Sequence, residues 1–166
     1  ISDEYIFYPA QLWHHKDHIT VIKALKILRD EYRLNIMLVL SGDKFSSSKD
    51  IFNLVDKYKL NNQVQYLGKV SFKNLVALYN QAQFLITATL YESSSLPVLE
   101  AIATKTAIIA SNTLPNIEMT KNLSLNLFQA KDPDSLAKAI NNIWHNDLLR
   151  KKQTEENQQK IIEGVV

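Results

Sequence analysis

The chain has no cysteine, only three glycines and no long apolar run. Without cysteine there are no disulfides and no thiolate-bound metal, and the chain fits a reducing compartment. The glycines are Gly42, Gly68 and Gly164, too few and too scattered for a G-x-G-x-x-G turn or a phosphate-binding P-loop. A dinucleotide-binding reading is disfavoured on that ground. No stretch of about eighteen apolar residues occurs, so no transmembrane segment is expected. No signal peptide is visible either, and a chain that starts at Ile1 rather than Met can have lost its N-terminus. The two signs of charge nearly cancel. The 166 residues carry 19 Lys and Arg against 17 Asp and Glu, a formal +2. That is too little to argue for nucleic acid, and no nucleic-acid partner is expected.

What is present is ordinary in kind: 46% apolar and 22% charged residues, enough for one globular domain with its own core. Apolar runs at Tyr5–Pro9, Ile36–Leu40, Val64–Leu67, Phe84–Thr87, Ala107–Ser111 and Leu125–Phe128 read as strands. Helical segments alternate with them. Asp17 caps a helix from Ile19 to about Tyr32, with Ile19, Ile22, Leu25 and Leu28 inward. Further helices are expected over Lys49–Tyr58, Phe72–Gln81 and Pro97–Thr104, with a short one over Pro115–Lys121. Asp132-Pro133 starts another that runs to about His145, with Leu136, Ala139, Ile140 and Ile143 inward. Phe45–Ser48 reads as a solvated loop. The polar helical tail from Leu148 lacks an apolar stripe and is expected to be loosely held. Continuous apolar strands alternating with helices mean an α/β fold: a Rossmann-like parallel sheet of about six strands with helices on both faces.

The segment that organises the rest is Glu92–Ala101, ESSSLPVLEA. It lies where a strand turns into a helix, at the carboxyl end of the sheet, where open α/β sheets bind ligands. Pro97 suits the first helical position. The amides of that first turn, with the helix dipole, make a site for phosphate or sugar oxygens. Glu92 and Glu100 bracket the turn.

Glu92, Leu96, Pro97, Glu100 and Ala101 resemble the E-x7-E signature of retaining glycosyltransferases of the GT-B fold (glycosyl transferases group 1). The usual form, Glu-Gly-Phe-Gly-Leu-Pro-x-x-Glu-Ala, has glycines where this chain has Ser93 and Ser95, and an aromatic where it has Ser94. The resemblance runs from Tyr8 to about Trp144 and covers only the C-terminal, donor-binding half of such an enzyme. It implies a single nucleotide-sugar-binding domain over residues 1–166, with the N-terminal acceptor domain absent from this chain. In the resembling enzymes the second Glu, here Glu100, accepts hydrogen bonds from the ribose hydroxyls. The first, here Glu92, binds hydroxyls of the donor sugar. Ser94, Ser95 and Leu96 fall in the same motif. Val70 falls where the backbone reads the nucleobase. An Arg and a Lys five residues apart hold the diphosphate; Lys16 matches the Lys, while Gln11 stands where the Arg is expected. The stretch YPAQ-W-HK-H nevertheless looks like a subgroup of bacterial sugar transferases with the same Gln.

His14 and His18, four apart, could share a helix face, but no third and fourth ligand gather near them in the sequence, and no metal is expected. The resemblance implies no cofactor beyond the donor substrate, a UDP- or GDP-linked sugar. It implies hexosyl transfer with retention to a glycan or lipid-linked acceptor in polysaccharide or glycolipid biosynthesis. The setting would be cytoplasmic, peripheral at the inner membrane face through the other domain. The isolated domain is expected to be inactive. The alternatives are a non-catalytic nucleotide-binding or regulatory α/β module and, less favoured, an epimerase or phosphorylase of related fold.

Overall fold

A computed structural model describes residues 4–91, 95–119 and 121–164. The chain order is β1 (Tyr5–Pro9), a 3-10 turn (His14–Lys16), α1 (His18–Glu31), β2 (Met37–Ser41), α2 (Ser48–Lys57), β3 (Val64–Tyr66) and α3 (Phe72–Gln81). It continues with β4 (Phe84–Thr87), α4 (Leu96–Ala103), β5 (Ile108–Ser111), α5 (Leu114–Met119), β6 (Asn126–Phe128), α6 (Pro133–Trp144) and α7 (Asp147–Ile162). Among the described residues the strands form one parallel sheet in the order β3-β2-β1-β4-β5-β6. Chain order reverses between β1 and β4, so a crevice opens at their carboxyl ends.

Alternate side chains of each central strand serve opposite layers. Ile6 and Tyr8 of β1, Leu38 and Leu40 of β2, Ile86 of β4 and Ile109 of β5 face α1, α2 and α6. Tyr5, Phe7, Val39, Leu85, Ile108 and Ala110 face α3 and α4. Both faces are covered, which is why these strands read as unbroken apolar runs. Two helix faces differ from the periodic expectation. In α1, Val21 and Ala24 are buried and Ile19 is only half-buried. In α6, Ala137 is buried and Ala139 half-buried. Each helix lies in a groove between neighbours, so the covered arc is wider than, and rotated from, a single stripe.

The tail helix is the larger correction. It docks through amides rather than an apolar stripe. Gln153 and Asn157, one helical turn apart, are 3% and 2% exposed. Gln153 accepts from the Ile108 N–H at 2.7 Å and donates to the Ile108 carbonyl at 3.0 Å. Asn157 treats Ser124 likewise, accepting from its N–H at 2.7 Å and donating to its carbonyl at 2.9 Å. Gln158 donates to the Ile102 carbonyl at the end of α4 at 2.5 Å, and Arg150 donates to the carbonyls of Ile143 and Trp144. The β5–β6 pairing begins at Ile109 opposite Asn126. Gln153 therefore supplies the backbone partner that β6 does not reach far enough to give. Such a latch satisfies buried peptide groups one by one and leaves no hydrophobic periodicity to read.

His18 begins α1, 1% exposed and stacked on Tyr8 at 4.6 Å. Among the described residues neither ring nitrogen makes a well-formed hydrogen bond, although the Ala10 backbone lies close enough to favour the proton. Burial is the larger effect and pulls the imidazole down to about 3.

Two outcomes follow from these packing arguments. Gln153→Ala strands the buried Ile108 N–H and leaves its carbonyl only the longer bond from Asn126 Nδ2 at 3.4 Å, so chemical denaturation should show a loss of roughly 1–3 kcal/mol; a loss below half a kilocalorie, about that of a surface change, would contradict the latch. For His18, the unfolded chain takes up a proton near pH 6.5 while the folded chain does not. Stability is then fully present above about pH 6.5 and falls as the pH drops toward 3. Melting temperatures of the chain and of His18→Phe, measured between these limits, should diverge, with the variant the flatter of the two.

Candidate functional site

Three loops meet at the carboxyl end of the sheet, and Gly42 is where they touch. Its φ is 132°, and a Cβ there would lie 2.6 Å from the Ala10 carbonyl oxygen and 2.8 Å from the Gln11 nitrogen. Only glycine allows this approach. The Gly42 N–H donates to the Gly68 carbonyl at 2.9 Å, and the Tyr66 hydroxyl donates to the Gly42 carbonyl at 2.7 Å. The loops after β1, β2 and β3 are thus fixed relative to one another. The serine-rich stretch adds a further pin. Ser47 is buried rather than solvated, and its hydroxyl donates to the Leu12 carbonyl at 2.5 Å.

The space above these loops is a crevice of about 260 Å³. The β1 and β2 loops contribute Pro9, Ala10, Gln11, Ser41 and Gly42; the β3 loop contributes Lys69 and Val70; α4 contributes Leu96, Pro97 and Glu100. Hollows of about 530 Å³ along α3 and about 420 Å³ beside Arg29 and Trp144 are larger. Neither brings together the sequence-selected residues as this crevice does.

Glu100 is held from behind. The Tyr79 hydroxyl donates to Glu100 Oε2 at 2.8 Å, and Tyr79 itself is 1% exposed. Tyr79 meets Phe7 edge-on at 5.1 Å, and its carbonyl accepts from Thr106 Oγ1 at 2.9 Å. Burial first, then the adjoining Glu100, push the phenol far above its ordinary range, so it stays a donor at any working pH. One carboxylate oxygen of Glu100 is thereby occupied, and the half-buried side chain lines the crevice.

The helix start differs from the expectation. Ser95 is the cap and Leu96 the first helical residue, so Pro97 is second. Pro97 has no N–H, and the amides of Val98 and Leu99 turn back to the Ser95 carbonyl at 3.0 and 3.3 Å. Ser95 is buried beneath the turn, with its hydroxyl unpartnered among the described residues, and does not line the crevice. Glu92, Ser93 and Ser94 lie outside the described residues.

Lys16 ends the 3-10 turn and is half-buried; it too is not among the residues lining the crevice. Its carbonyl accepts from the Tyr8 hydroxyl. Asp17 follows with φ 48° and caps α1 through Thr20, its carboxyl raised by burial against the opposing pull of those Thr20 bonds. His15 stacks on Tyr91 at 4.8 Å, and its carbonyl accepts from the Leu90 N–H at 2.8 Å. This joins the turn that carries Lys16 to the residue preceding Glu92. His14 is exposed and His18 is buried, so they share no face, and among the described residues no three metal-binding side chains gather.

The structure brings Gln11, Val70, Leu96 and Glu100 to one crevice. Sequence reading misses Lys69, Tyr79 and the contact at Gly42. Lys69 had a signal, since it follows the same glycine turn as Val70. Tyr79 reads as core by spacing, and nothing local marks its hydroxyl.

Residues 2–160 match the family described as glycosyl transferases group 1. The O-antigen chain mannosyltransferase RfbU of Salmonella typhimurium is 29% identical over 142 residues, 86% of this chain and 39% of that protein. The chain thus spans about two fifths of the length of this curated relative. A glycosyltransferase crystal structure from Rickettsia africae superposes with a TM-score of 0.83 at 23% identity, over 96% of this chain and 43% of that one. Anabaena HepE in complex with UDP and glucose superposes at 0.79 with 17% identity, again over 96% and 43%. These likenesses show the fold, a Rossmann-like sheet as in the C-terminal half of GT-B glycosyltransferases. With the family match over nearly its whole length, the chain belongs to the glycosyl transferases group 1 family.

Proposed function

We propose that this chain is the donor-binding half of a retaining hexosyltransferase that uses a nucleoside diphosphate sugar. The observation that carries the reading is the convergence of Gln11, Val70, Leu96 and a Tyr79-held Glu100 on one crevice at the reversal of strand order. Glu100 accepts from the ribose hydroxyls through its remaining lone pairs; a carboxylate suits two donors at once. Val70 borders the nucleobase through its backbone, and Leu96 adjoins the phosphates at the start of α4, with Ser94 and Ser95 in the same sequence motif. Lys16 and the α4 N-terminus offset the charge that grows on the leaving diphosphate. Glu92 binds hydroxyls of the sugar. No metal or other cofactor takes part in this scheme.

The name of the Salmonella relative favours mannosyl as the first sugar to test, and the ligands of the Anabaena structure favour a uridine donor alongside a guanosine one. The acceptor, a glycan or lipid-linked glycan, and the domain that binds it belong to the longer enzyme, at the cytoplasmic face of the membrane. Alone, the chain binds nucleotide weakly and transfers little.

Calorimetry with uridine and guanosine diphosphates checks the core of this proposal. Glu100→Gln should weaken diphosphate binding by about 1–3 kcal/mol without a change of fold. Unchanged binding with lowered thermal stability would make Glu100 structural. Lys16→Ala should reduce affinity for the diphosphate sharply and spare the bare nucleoside. Equal loss for both ligands would remove Lys16 from the phosphate site. Folded chain that binds neither diphosphate at millimolar concentration would favour a non-catalytic α/β module.

A further inference from the structure

Gln11 is a neutral residue where the resemblance leads one to expect a cation, and the loop around it contains a contact that the proposed function leaves unused. The Trp13 indole N–H donates to Gln11 Oε1 at 2.9 Å. An indole nitrogen is a donor only, whereas a primary amide has an acceptor end and a donor end related by a half-turn. The indole therefore selects one orientation, with the amide oxygen toward Trp13 and the NH2 group away from it. Gln11 is exposed and lines the crevice beside Gly42 and Lys69.

Trp13 is itself held in place. Its ring stacks on Phe45 with centroids 3.9 Å apart and planes 16° apart. The Phe45 N–H donates to Ser48 Oγ at 2.8 Å, and that hydroxyl donates to the Phe45 carbonyl at 2.7 Å. The intervening Leu12 is fixed through Ser47, and the backbone at Ala10 and Gln11 is packed against Gly42. A small aromatic and hydroxyl frame thus stands behind one amide.

We propose that Trp13 is a positioning residue for an anionic ligand: it locks the Gln11 amide so that its two N–H donors, and not its oxygen, serve the phosphate oxygens of a nucleoside diphosphate. The inference rests on the reading of the crevice as a nucleoside diphosphate site. The physical reason is the absence of charge on Gln11. A guanidinium attracts a phosphate in any rotamer. An amide helps only if its donor end faces the ligand, because its oxygen sets acceptor against acceptor. Flipping the amide loses two bonds at once, one to the indole and one to the phosphate. A donor-only neighbour thus converts a two-sided side chain into a one-sided one. The same geometry means that arginine at position 11 would face the indole with donor against donor and lose that support.

The test is a calorimetric titration of the chain with uridine diphosphate, guanosine diphosphate and the two bare nucleosides. Trp13→Phe keeps an aromatic ring against Phe45 and removes the donor. It should weaken diphosphate binding by about threefold to tenfold, the worth of one hydrogen bond, and leave nucleoside binding unchanged. Gln11→Ala should show the same loss, and the double variant no further loss, because the two residues act as one unit. Gln11→Glu keeps an acceptor for the indole but presents a second carboxylate oxygen to the phosphate, so it should bind worst of all. The inference is overturned if Trp13→Phe binds diphosphate like the unaltered chain, if the two single losses multiply in the double variant, or if Gln11→Glu binds undiminished. Should the unaltered chain bind neither diphosphate, the site reading fails and takes the inference with it. Binding by the unaltered chain with no response at Trp13 sinks the inference alone. Since Gln11 is exposed, its two single variants keep the test open even if Trp13→Phe misfolds.

Discussion

At position 42 the chain bends with φ at 132° and its Cα comes so near Ala10 that a single added carbon would overlap the carbonyl there. The rest of the crevice depends on that contact. The loop after β1 must pass over the loop after β2 for Gln11 and Trp13 to stand where they do. The Gly42 amide and carbonyl are then free to bond Gly68 and the Tyr66 hydroxyl, which brings the β3 loop and Lys69 into the same space. A site assembled from loops needs some such rigid junction, because loops are otherwise the least constrained part of an α/β fold. Here glycine scarcity makes the junction conspicuous: of the three glycines, two sit at this one point.

Polar groups do much of the internal fastening. Tyr79 crosses from the core to Glu100, Ser47 reaches Leu12, and Gln153 with Asn157 completes peptide groups that no strand completes. Each is a buried donor or acceptor with its partner in place, the condition under which burial of polar atoms is tolerated. The effect is to tie elements that carry the crevice to elements remote from it. Gln158 of α7 bonds the Ile102 carbonyl in the last turn of α4, and that same turn carries Glu100. The tail helix is thereby part of the scaffold that sets the carboxylate's position.

Electrostatically the crevice is mild. It has one carboxylate, Glu100, and one lysine, Lys69, along its described lining, with a neutral amide at Gln11. A diphosphate placed there would depend on directed hydrogen bonds more than on net charge. For such a ligand side-chain orientation would matter more than composition.

How much of this was readable in advance follows from the range of the forces involved. Strands and helices were legible because burial on both sheet faces writes continuous apolar runs such as Ile36–Leu40, and caps such as Asp17 and Asp132 act within one turn. The motif spacing from Glu92 to Glu100 was legible because it is local, and Glu100 reached the crevice as that spacing implies. Contacts that close over long sequence separations were not legible. The Tyr79–Glu100 bond spans 21 residues, the Gln153–Ile108 bond 45 and the Ser47–Leu12 bond 35. None of these leaves a periodicity, since one hydroxyl or amide suffices at each. Pattern along the chain was therefore enough for the α/β class, the strand–helix alternation and the place of Glu100 on the helix after β4. Which polar side chain meets which backbone group, the latching of the tail, and the place of Lys69 rather than Lys16 along the crevice emerge in the folded chain alone, because those choices are made by distance in space and not by distance along the chain.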